Sequence, residues 1–596
     1  MSSSTAEAQA LALFRAGRLA EAHEAWSAIL ARNPQDAQAL HMTGYILTRL
    51  GRAAEGLALI DRSIERAPRA APFLNNRAQV LAEAGRIDEA VRDLRRAVQV
   101  DPRFVAAYCH LGILHNRAGR GEEALAAFRR ALAIDPGQPL ALYNLGVLRL
   151  VARDLAEAET AFRRVLEREP RNAMAMNNLG VVARDAGRPG EALAWFERAC
   201  EGDPANVDAL GNLALALRQD RGDLEAAAKA YERILSLDPH APRALLDGAS
   251  VALDRGLIDE AAALYRRALE VRPGWPDAEY GLGQVALRRH EFDAGWRGYE
   301  RRFETDPPQS SARSFAMPRF GAGDLGRAVR VAVWGEQGVG DQILFSTLLP
   351  ELAGNGARAV VEVDERLLAM YRRSLPALEF TTASESAQRF ADCEREIPIG
   401  SLPGLFRRDL ASFDRQPAAL LRPDADRVAD MRARLGEGRW IGISWRSLQR
   451  AERRTLGERK SIALEEFAAL AVPGVRLLDL QYGDVEEERR AFMQRHPGML
   501  ARLEDLDAYA DLEGVAAAMA ACECVVTASN VTAHLAGALG VPTRLLYLGR
   551  EPPFAYWTAR ADGRCLWYPS VRIANHPEWR HWADAMAAVR DEWLRA

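Results

Sequence analysis

Prolines that recur every 34 residues constrain this sequence more than any other feature. They stand at Pro34, Pro68, Pro102, Pro136, Pro170 and Pro204, and the series continues at Pro239 and Pro273. Proline ends a helix because it lacks the backbone N–H and clashes with the preceding turn. A period of this length fits two helices and two turns, so the first half of the chain is predicted to be an array of helix pairs.

A second series marks the turn inside each unit. Glycines lie half a repeat from the prolines, at Gly17, Gly51, Gly85, Gly119, Gly187, Gly222 and Gly256. Arg153 and His290 occupy the two slots without glycine, and one extra residue lies between Pro204 and Gly222. Small residues recur where helices must pack closely, at Gly44, Ala78, Gly112, Gly146, Gly180, Ala214, Ala249 and Gly283. Roughly nine helix pairs are expected between residues 5 and 304.

The array resembles the tetratricopeptide repeat. Tyr143-Asn144-Leu145-Gly146 and Glu191-Ala192-Leu193-Ala194-Trp195-Phe196 stand where that family carries the signature residues of its first and second helices. The resemblance implies an all-α superhelix with a concave inner face over residues 1–304.

One polar slot of the array is a candidate binding feature. Two residues before the packing glycine or alanine stand Asn76, Asn144, Asn178 and Asn212, with Met42, His110, Asp247 and Gly281 in the same slot. An asparagine offers a donor and an acceptor together, which suits it to clamp an extended peptide backbone. The array is similar to that of protein O-GlcNAc transferases, in which asparagines at this slot hold the acceptor polypeptide. Alternatively, these asparagines bond neighbouring repeats or recur through repeat duplication.

Composition places the chain among ordinary globular proteins. Its 596 residues are 48% apolar and 27% charged, and more than one domain is expected at this length. The net charge of −4 gives no footprint of a nucleic-acid-binding surface. The N-terminus lacks a secretory signal pattern and no stretch reaches 18 apolar residues, so a cytoplasmic protein is predicted. The cysteines lack metal-ligand spacing and are expected to be reduced thiols, at Cys109, Cys200, Cys393, Cys522, Cys524 and Cys565.

The second half of the chain alternates strands and helices. Residues 305–325 read as a linker because Thr305–Ser314 is rich in proline and serine. Candidate strands follow at Val329–Trp334, Ala359–Val363, Leu378–Thr381, Cys393–Ile399, Trp440–Trp445, Val475–Leu480, Cys524–Thr527 and Arg544–Leu548. This alternation predicts parallel α/β sheets, arranged as two Rossmann-like lobes at residues 326–424 and 425–596, the second with a C-terminal helix.

The stretch Val329–Leu352 is the predicted chemical centre. An apolar strand leads into Gly335-Glu336-Gln337-Gly338-Val339-Gly340, where glycines permit positive φ or a close approach to a ligand. Asp341 follows at the position expected for a helix N-cap, ahead of apolar residues at helical spacing. Strand, glycine loop and helix start together form a ligand-binding corner.

Several motifs in order resemble a known enzyme family. WGEQGVGDQILFSTLLPEL, GISWRS, LDLQYGD, and VVTASNVTAHLAGALGVPTRLL followed by WYPSVRI look like the glycosyltransferase-B domain of bacterial tetratricopeptide-repeat proteins. That domain is similar to lipopolysaccharide heptosyltransferases, and the combination with repeats resembles bacterial flagellin glycosyltransferases. The resemblance implies metal-independent, inverting transfer of a sugar such as pseudaminic acid, a nonulosonic acid, to Ser or Thr of flagellin bound by the array. The donor would be a nucleotide sugar, CMP-linked for such an acid, acting as substrate with no further cofactor. The alternative is a tetratricopeptide scaffold with a degenerate transferase domain.

The resemblance also assigns the acceptor side. It places the base that accepts the acceptor hydroxyl proton at the Gly-Asp of the opening loop, here Gly340-Asp341, with Gly338 in the same loop. A carboxylate beside the cleft suits this role. The structural alternative is that Asp341 only caps its helix.

The donor side is expected in the second lobe. Similar enzymes bind phosphate where this chain has Arg446, Ser447 and Lys460, and a lysine ammonium can act as a point charge on phosphate. Gln481 and Tyr482 are plausible nucleotide contacts. The family's Asp-Thr is replaced here by Ser529-Asn530, which removes a negative charge near the donor, and Thr532 and His534 follow. A solvated basic loop and a structural histidine at the helix start are the alternatives.

Overall fold

The computed structural model describes residues 3–447, 461–470, 472–548, 555–575 and 581–595. They form two compact units, residues 1–216 and 217–596. The division falls inside the predicted repeat array, whereas the boundaries predicted from the sequence at residues 304, 325 and 424 stay predictions. Among the described residues, no helix combines the length and the apolar character needed to cross a membrane.

The first unit consists of antiparallel helix pairs. Its helices are α1 Ser3–Arg15, α2 Leu19–Arg32, α3 Ala37–Arg49, α4 Ala53–Arg66, α5 Ala71–Glu83, α6 Ile87–Val100, α7 Val105–Arg117, α8 Gly121–Ile134, α9 Pro139–Val151, α10 Leu155–Arg168, α11 Ala173–Asp185, α12 Pro189–Gly202 and α13 Val207–Ala216. Glycines allow the two helices of a pair to touch. A Cβ atom on Gly146 would lie 2.7 Å from the buried ring of Phe162, and one on Gly180 would lie 2.4 Å from Phe196.

The second unit begins with further repeats. Its first helices are α14 Leu224–Leu237, α15 Pro242–Asp254, α16 Ile258–Val271, α17 Pro276–Arg288 and α18 Phe292–Tyr299, followed by a 3₁₀ turn at Glu300–Phe303. Residues 3–304 are all described, and they contain the nine helix pairs that the proline and glycine series predicts.

The turn slots confirm the role expected of glycine. All seven glycines of the series have φ between 70° and 83°. Arg153 and His290, which replace glycine, take the same left-handed conformation with φ of 63° and 60°. A side chain is costly there because its Cβ crowds the following carbonyl oxygen.

The extra residue between Pro204 and Gly222 also has a structural outcome. The helix that starts at Val207 ends in a π-helical segment, Leu217–Arg221. A π turn holds one more residue than an α turn. The insertion is therefore taken up inside the helix, and the turn glycine Gly222 keeps its positive φ of 70°.

Two parallel sheets follow the repeats. The strands are β1 Arg330–Trp334, β2 Arg358–Glu362, β3 Glu379–Thr381, β4 Arg395–Pro398, β5 Arg439–Ser444, β6 Val475–Asp479, β7 Leu500–Ala501, β8 Cys524–Thr527, β9 Thr543–Leu546 and β10 Val571–Ala574. The strand orders are β3-β2-β1-β4 and β10-β9-β8-β5-β6-β7. The eight strands predicted from the sequence are present and all pair in parallel, while β7 and β10 were not predicted. The predicted fold class, an all-α repeat array followed by an α/β region, is confirmed.

Helices connect the strands of both sheets. Those around the first sheet are α19 Val339–Ser346, α20 Leu349–Gly354, α21 Leu368–Ser374, α22 Ser386–Arg389 and α23 Leu402–Phe406. Those around the second are α24 Ala425–Leu435, α25 Glu486–Arg495, α26 Leu512–Ala520, α27 Val531–Ala538 and the C-terminal α28 Trp582–Arg595. Each sheet reverses its strand order once, between β1 and β4 and between β5 and β8. Crevices at such reversals, beyond the carboxyl ends of the strands, are where open α/β sheets bind ligands.

The segment between the repeats and the first sheet is packed against that sheet. Arg313 donates two hydrogen bonds of 2.7 Å to Glu362 and a third to the carbonyl of Gly335. The ring of Phe315 lies 5.8 Å from that of Trp334 at the end of β1. The predicted connector therefore has a fixed path beside the loop that follows β1.

Candidate functional site

The candidate site lies where one helix from each sheet begins. α19 follows β1 and α27 follows β8, and both strands border a reversal of strand order. The two helices pack against each other. Backbone N–H groups of a first helical turn have no intrahelical partner, so the site combines two electropositive helix starts.

The glycine loop after β1 uses close packing rather than positive φ. Gly335, Gly338 and Gly340 are absent from the positive-φ residues, and Gly338 has φ −67°. A Cβ atom on Gly335 would lie 2.9 Å from the amide nitrogen of Gln342, and one on Gly340 would lie 2.8 Å from His534 Cδ2. Two of the three glycines are therefore required for contact, one with the loop's own helix and one with the second lobe.

Asp341 does not occupy the N-cap position predicted for it. The cap is Gly338, in extended conformation and without a side chain to bond the helix, and Asp341 is the third residue of α19. The prediction placed the cap at Asp341 because its side chain can bond the start of a helix. In the structure the helix already begins at Val339, two residues before Asp341. The carboxylate still lies in the first turn, where the helix dipole favours a negative charge.

Asp341 is half-buried and lies among tyrosines. Burial raises the pKa of Tyr299, Tyr556 and Tyr568 well above the ordinary phenol range, and the charge of Asp341 adds to the shift in all three. These phenols come from the last repeat helix and from the segment after β9. A partly buried carboxylate is a group that can act as a general base, and this role of Asp341 stays a prediction.

His534 lies on the facing helix start. It is 4% exposed, and its Nδ1 is 3.2 Å from the hydroxyl of Tyr568. The rings of Trp557 and Tyr556 lie 4.6 Å and 5.5 Å from the imidazole ring. Its Nε2 is 3.3 Å from the position that a Cβ on Gly340 would take, so the ring edge faces the first turn of α19.

Ser529 and Asn530, which replace the family's Asp-Thr, both form hydrogen bonds with neighbouring protein groups. Ser529 Oγ accepts a 2.9 Å hydrogen bond from the indole N–H of Trp557. Asn530 caps α27, since its side-chain oxygen accepts from the N–H of Ala533, while its amide donates to Ser444 Oγ at 2.8 Å. The family's aspartate corresponds to Ser529 and its threonine to Asn530, so the lost charge belongs to position 529. Thr532 is buried in the following turn.

Gln481 holds the end of β5. Its side-chain oxygen accepts from Ser444 Oγ and from the N–H groups of Trp445 and Arg446, at 2.7–3.0 Å. Its amide donates to the carbonyls of Arg446 and Tyr482. With five side-chain hydrogen bonds to four residues, Gln481 orders the loop predicted to bind phosphate, and its direct contact with a nucleotide stays a prediction.

The other predicted phosphate ligands are partly described. Arg446 donates to Glu488 at 2.8 Å, and its side chain is 40% exposed. The backbone N–H of Ser447 donates to Ser461 Oγ at 3.2 Å. Lys460 lies outside the described residues. Arg446 and Ser447 follow β5, whereas Ser529, Asn530 and His534 follow β8. All five lie near the crevice expected at the reversal of strand order between these strands, and their contact with a donor stays a prediction.

A polar cavity adjoins this crevice at the carboxyl ends of β6 and β7. Its volume is about 410 Å³, and Gln481 and Tyr482 are among its lining residues. Burial raises the pKa of Tyr482 to about 12. The charged residues of the lining are mostly acidic, namely Asp479, Asp484, Glu486, Glu504, Asp505 and Asp507 against Arg489 and Arg502. Such a cavity favours hydroxyl and amino groups over phosphate.

The asparagines of the repeat slot mostly bond the preceding repeat. Asn76 bonds His41, Asn178 donates to the hydroxyl of Tyr143, and Asn212 donates to Asn177, each to a residue 35 positions earlier, at 2.9–3.0 Å. Asn144 differs. Within the fully described residues 3–216, the one side-chain hydrogen bond it makes is a 2.8 Å bond to the carbonyl of Leu140 in its own helix. The interpretation that slot asparagines bond neighbouring repeats therefore holds for Asn76, Asn178 and Asn212, and peptide binding stays a prediction.

Two residues of the last repeat contact the glycine loop, which the sequence analysis did not identify. Tyr299 donates to Gln337 at 3.1 Å, and Arg302 makes a two-pronged ion pair with Glu336. The aromatic content of residues 291–303 predicts that this helix packs on the next domain, and that expectation is confirmed. Trp296 donates to the carbonyl of Arg407, and Phe292 packs on Phe413. The identity of the ion pair needed the structure, because arginine and glutamate occur throughout the chain.

Comparison with known proteins identifies the repeats. Residues 7–71, 75–139 and 143–207 match one tetratricopeptide repeat family, and residues 218–285 match a second tetratricopeptide repeat family. Residues 7–285 of the chain therefore carry tetratricopeptide repeats, and an α/β region with two parallel sheets follows them.

Among curated proteins, the chain is similar to Protein FlbA of Caulobacter vibrioides. The two are 31% identical over 308 residues, which is 48% of this chain, and the match spans about half (49%) of that relative's length. Solved structures similar to the chain include Pseudomonas aeruginosa PilF, 21% identical over 36% of this chain and 96% of that one, with a TM-score of 0.33. YrrB, described as a tetratricopeptide-repeat protein with an unusual peptide-binding site, is 22% identical over 31% and 95% of the two chains, with a TM-score of 0.27.

Proposed function

We propose that this protein is an inverting, metal-independent protein O-glycosyltransferase of the glycosyltransferase-B type. The proposal rests on one observation, the packing of helix α19 against helix α27. One brings a carboxylate from the first sheet, and the other brings His534 and the positive end of a helix dipole from the second sheet. A base on one side of a cleft and an anion-binding end on the other are what transfer from a nucleotide sugar requires.

The proposed reaction is a single displacement. Asp341 accepts the proton of a serine or threonine hydroxyl as that oxygen bonds to the anomeric carbon of the sugar. The bond from this carbon to the phosphate oxygen breaks, and the nucleotide leaves with the electron pair. Arg446 and the positive end of the α27 dipole would stabilise the negative charge of the leaving phosphate, and Lys460 is the further cation expected there.

The donor is proposed to be a nucleotide-linked nonulosonic acid such as pseudaminic acid. Ser529 and Asn530 are both neutral where related enzymes carry Asp-Thr, which reduces repulsion of an anionic sugar. The acidic cavity beside Gln481 and Tyr482 would take the hydroxyl and amino groups of the nucleoside. The acceptor, flagellin by the resemblance, would be recruited by the repeats.

A non-catalytic scaffold is the second candidate function. The observation that favours it is that the side-chain amides of Gln481 and Asn530 are engaged by protein groups. A domain that serves only as support would keep such bonds and need no access to them.

Transfer to a recruited polypeptide separates the two candidates. The full-length protein is incubated with flagellin and CMP-, UDP-, GDP- or ADP-linked sugars, and the mass of the acceptor is measured. Asp341→Ala should abolish transfer while nucleotide-dependent thermal stabilisation remains. Asp208→Ala, in the first turn of α13, is the matched control for loss of a helix-start carboxylate. Unchanged transfer by Asp341→Ala would exclude Asp341 as the base, and no transfer from any donor would favour the scaffold.

A further inference from the structure

The last tetratricopeptide repeat reaches the crevice of the first sheet. Arg302 donates two hydrogen bonds to the carboxylate of Glu336, at 2.7 Å and 2.8 Å, and a third to Ser401 Oγ at 2.8 Å. Glu336 follows β1 and Ser401 follows β4. Arg302 therefore bridges the two loops at the reversal of strand order, which is where such sheets place their ligand sites.

The side chains of this bridge are buried, and each has several hydrogen-bond partners. The side chains of Arg302 and Glu336 are 0% and 1% exposed. The second partner of Glu336 is the backbone N–H of Gly400, at 2.9 Å. The guanidinium also lies over the rings of Tyr299 and Phe303, at 4.5 Å and 4.2 Å. Burial opposes the charge of Arg302, but its bonds to Glu336 keep the guanidinium pKa above its ordinary value. A buried ion pair holds both of its side chains in position, because separating them leaves an unpaired buried charge.

A second contact fixes the next residue of the loop. Gln337 accepts from the hydroxyl of Tyr299 at 3.1 Å and donates to Ser310 Oγ at 2.8 Å. The Tyr299 ring also lies 6.3 Å from that of Phe345 on α19. Only Gly338, Val339 and Gly340 separate Gln337 from Asp341. A displacement of this short loop would therefore move the first turn of α19.

We propose that Tyr299 and Arg302 are positioning residues of the transferase. Through Gln337 and Glu336 they hold the loop after β1, and with it Asp341, in the geometry of the transfer step. The last repeat is then part of the reaction centre and not only of the recruiting array. This inference rests on the proposed function, and it adds that the transfer step depends on two side chains of the repeat region that touch no substrate.

Two mild substitutions in the full-length protein test it. Tyr299→Phe keeps the ring and removes the bond to Gln337. Arg302→Lys keeps the charge but loses the two-pronged geometry that only a guanidinium provides. The matched controls are Tyr265→Phe, which removes a buried 3.1 Å hydroxyl bond to Ser250 in another repeat, and Arg407→Lys, which alters a fully buried arginine bonded to Glu351.

Two measurements are made on each variant. Steady-state transfer should show kcat lowered at least tenfold by Arg302→Lys and about threefold by Tyr299→Phe, with KM for donor and acceptor within twofold of wild type. Hydrogen exchange of the amides of residues 335–342 should accelerate several-fold in both variants. The controls should leave kcat and exchange of that segment unchanged, because their side chains do not contact the loop.

Three outcomes would overturn the inference. One is a kcat and a loop exchange rate that stay within twofold of wild type in both variants. Another is a loss of kcat matched by the controls, which would indicate general destabilisation. The third is a rise in KM alone, which would assign these residues to acceptor binding. If the wild-type protein transfers no sugar, the proposed function fails, and loop exchange alone then decides whether the last repeat holds the loop.

Discussion

His534 and Gly340 approach so closely that a Cβ atom on Gly340 would lie 2.8 Å from His534 Cδ2 and 3.3 Å from Nε2. The imidazole ring has little room to move away from Gly340, because the ring of Trp557 packs against it and the hydroxyl of Tyr568 lies within hydrogen-bond distance of Nδ1. The two lobes thus meet at a point where one side contributes only backbone. This contact sets the distance between the proposed base and the donor side.

Gly340→Ala is expected to disturb this contact directly. The added methyl group would force either α19 or His534 to shift, at a cost of about 1–3 kcal/mol for overpacking. Transfer should fall by more than tenfold, since misplacement of reacting groups by even about 1 Å can cost about 10²-fold. Gly354→Ala, where a Cβ meets nothing within 4 Å, is the control. Equal transfer rates for Gly340→Ala and wild type would contradict the close contact.

The slot asparagines should separate into two groups. Asn178→Ala and Asn212→Ala remove bonds to the preceding repeat and should lower the free energy of unfolding by about 0.5–1.5 kcal/mol. Asn144→Ala breaks only a bond within its own helix and should change stability by less than about 0.5 kcal/mol. If the slot holds the acceptor, Asn144→Ala weakens acceptor binding without this loss of stability. Urea unfolding and a binding isotherm measure the two quantities, and wild-type acceptor affinity in Asn144→Ala would leave only the structural role.

Acid should destabilise the repeats through His41. Burial lowers the pKa of His41 to about 4, below the unfolded value of about 6.5. The unfolded chain therefore binds more protons between these values, and stability that is complete above pH 6.5 is lost as the pH falls towards 4. The loss is at most about 3 kcal/mol. His41→Gln should flatten this part of the pH profile of urea unfolding, and a profile parallel to wild type would refute the assignment.

Arg153 offers a simple gain in stability. Its left-handed backbone, φ 63°, costs a non-glycine residue about 1–2 kcal/mol. Arg153→Gly removes that strain but loses an exposed ion pair with Asp185 and adds chain entropy, so a net gain of about 0–1 kcal/mol is expected. Gly119→Ala, with φ 72° and no neighbour to meet its Cβ, should have the opposite sign. Thermal unfolding measures both, and a clear loss of stability in Arg153→Gly would show that the ion pair dominates.

Local chemistry explains what could be predicted from the sequence. A proline or glycine affects the backbone conformation only within a few residues of itself. The helix pairs, the turns and the place of the inserted residue can therefore be predicted from the spacing of these residues alone. Buried strands of parallel sheets are continuous apolar runs, and eight of them were found for that reason. β7 has only two residues and gives no such signal.

Several features could not be predicted from the sequence because they depend on long-range contacts or on backbone conformation. The pairing of Arg302 with Glu336 depends on where the last repeat packs, which no spacing encodes. The apolar residues between Asp341 and Leu352 were expected at helical spacing, but they belong to two helices. A second helix, α20, starts at Leu349 with Pro350 as its second residue. Asp341 was assigned to the N-cap, but the cap, Gly338, lies three residues earlier. Gly338 starts α19 through its backbone conformation and has no side chain that could indicate a cap in the sequence.

The bonds between repeats imply a trade-off between cohesion and recognition. Each slot asparagine has one side-chain amide. An amide that hydrogen-bonds to the preceding repeat is already occupied and is not available to a polypeptide. At Asn144 the residue 35 positions earlier is Cys109, a buried thiol and a poor partner. A single weak partner in one repeat can thus leave an asparagine in the next without a bond between repeats, so this array can acquire or lose a contact for its cargo without any change at the contact residue itself.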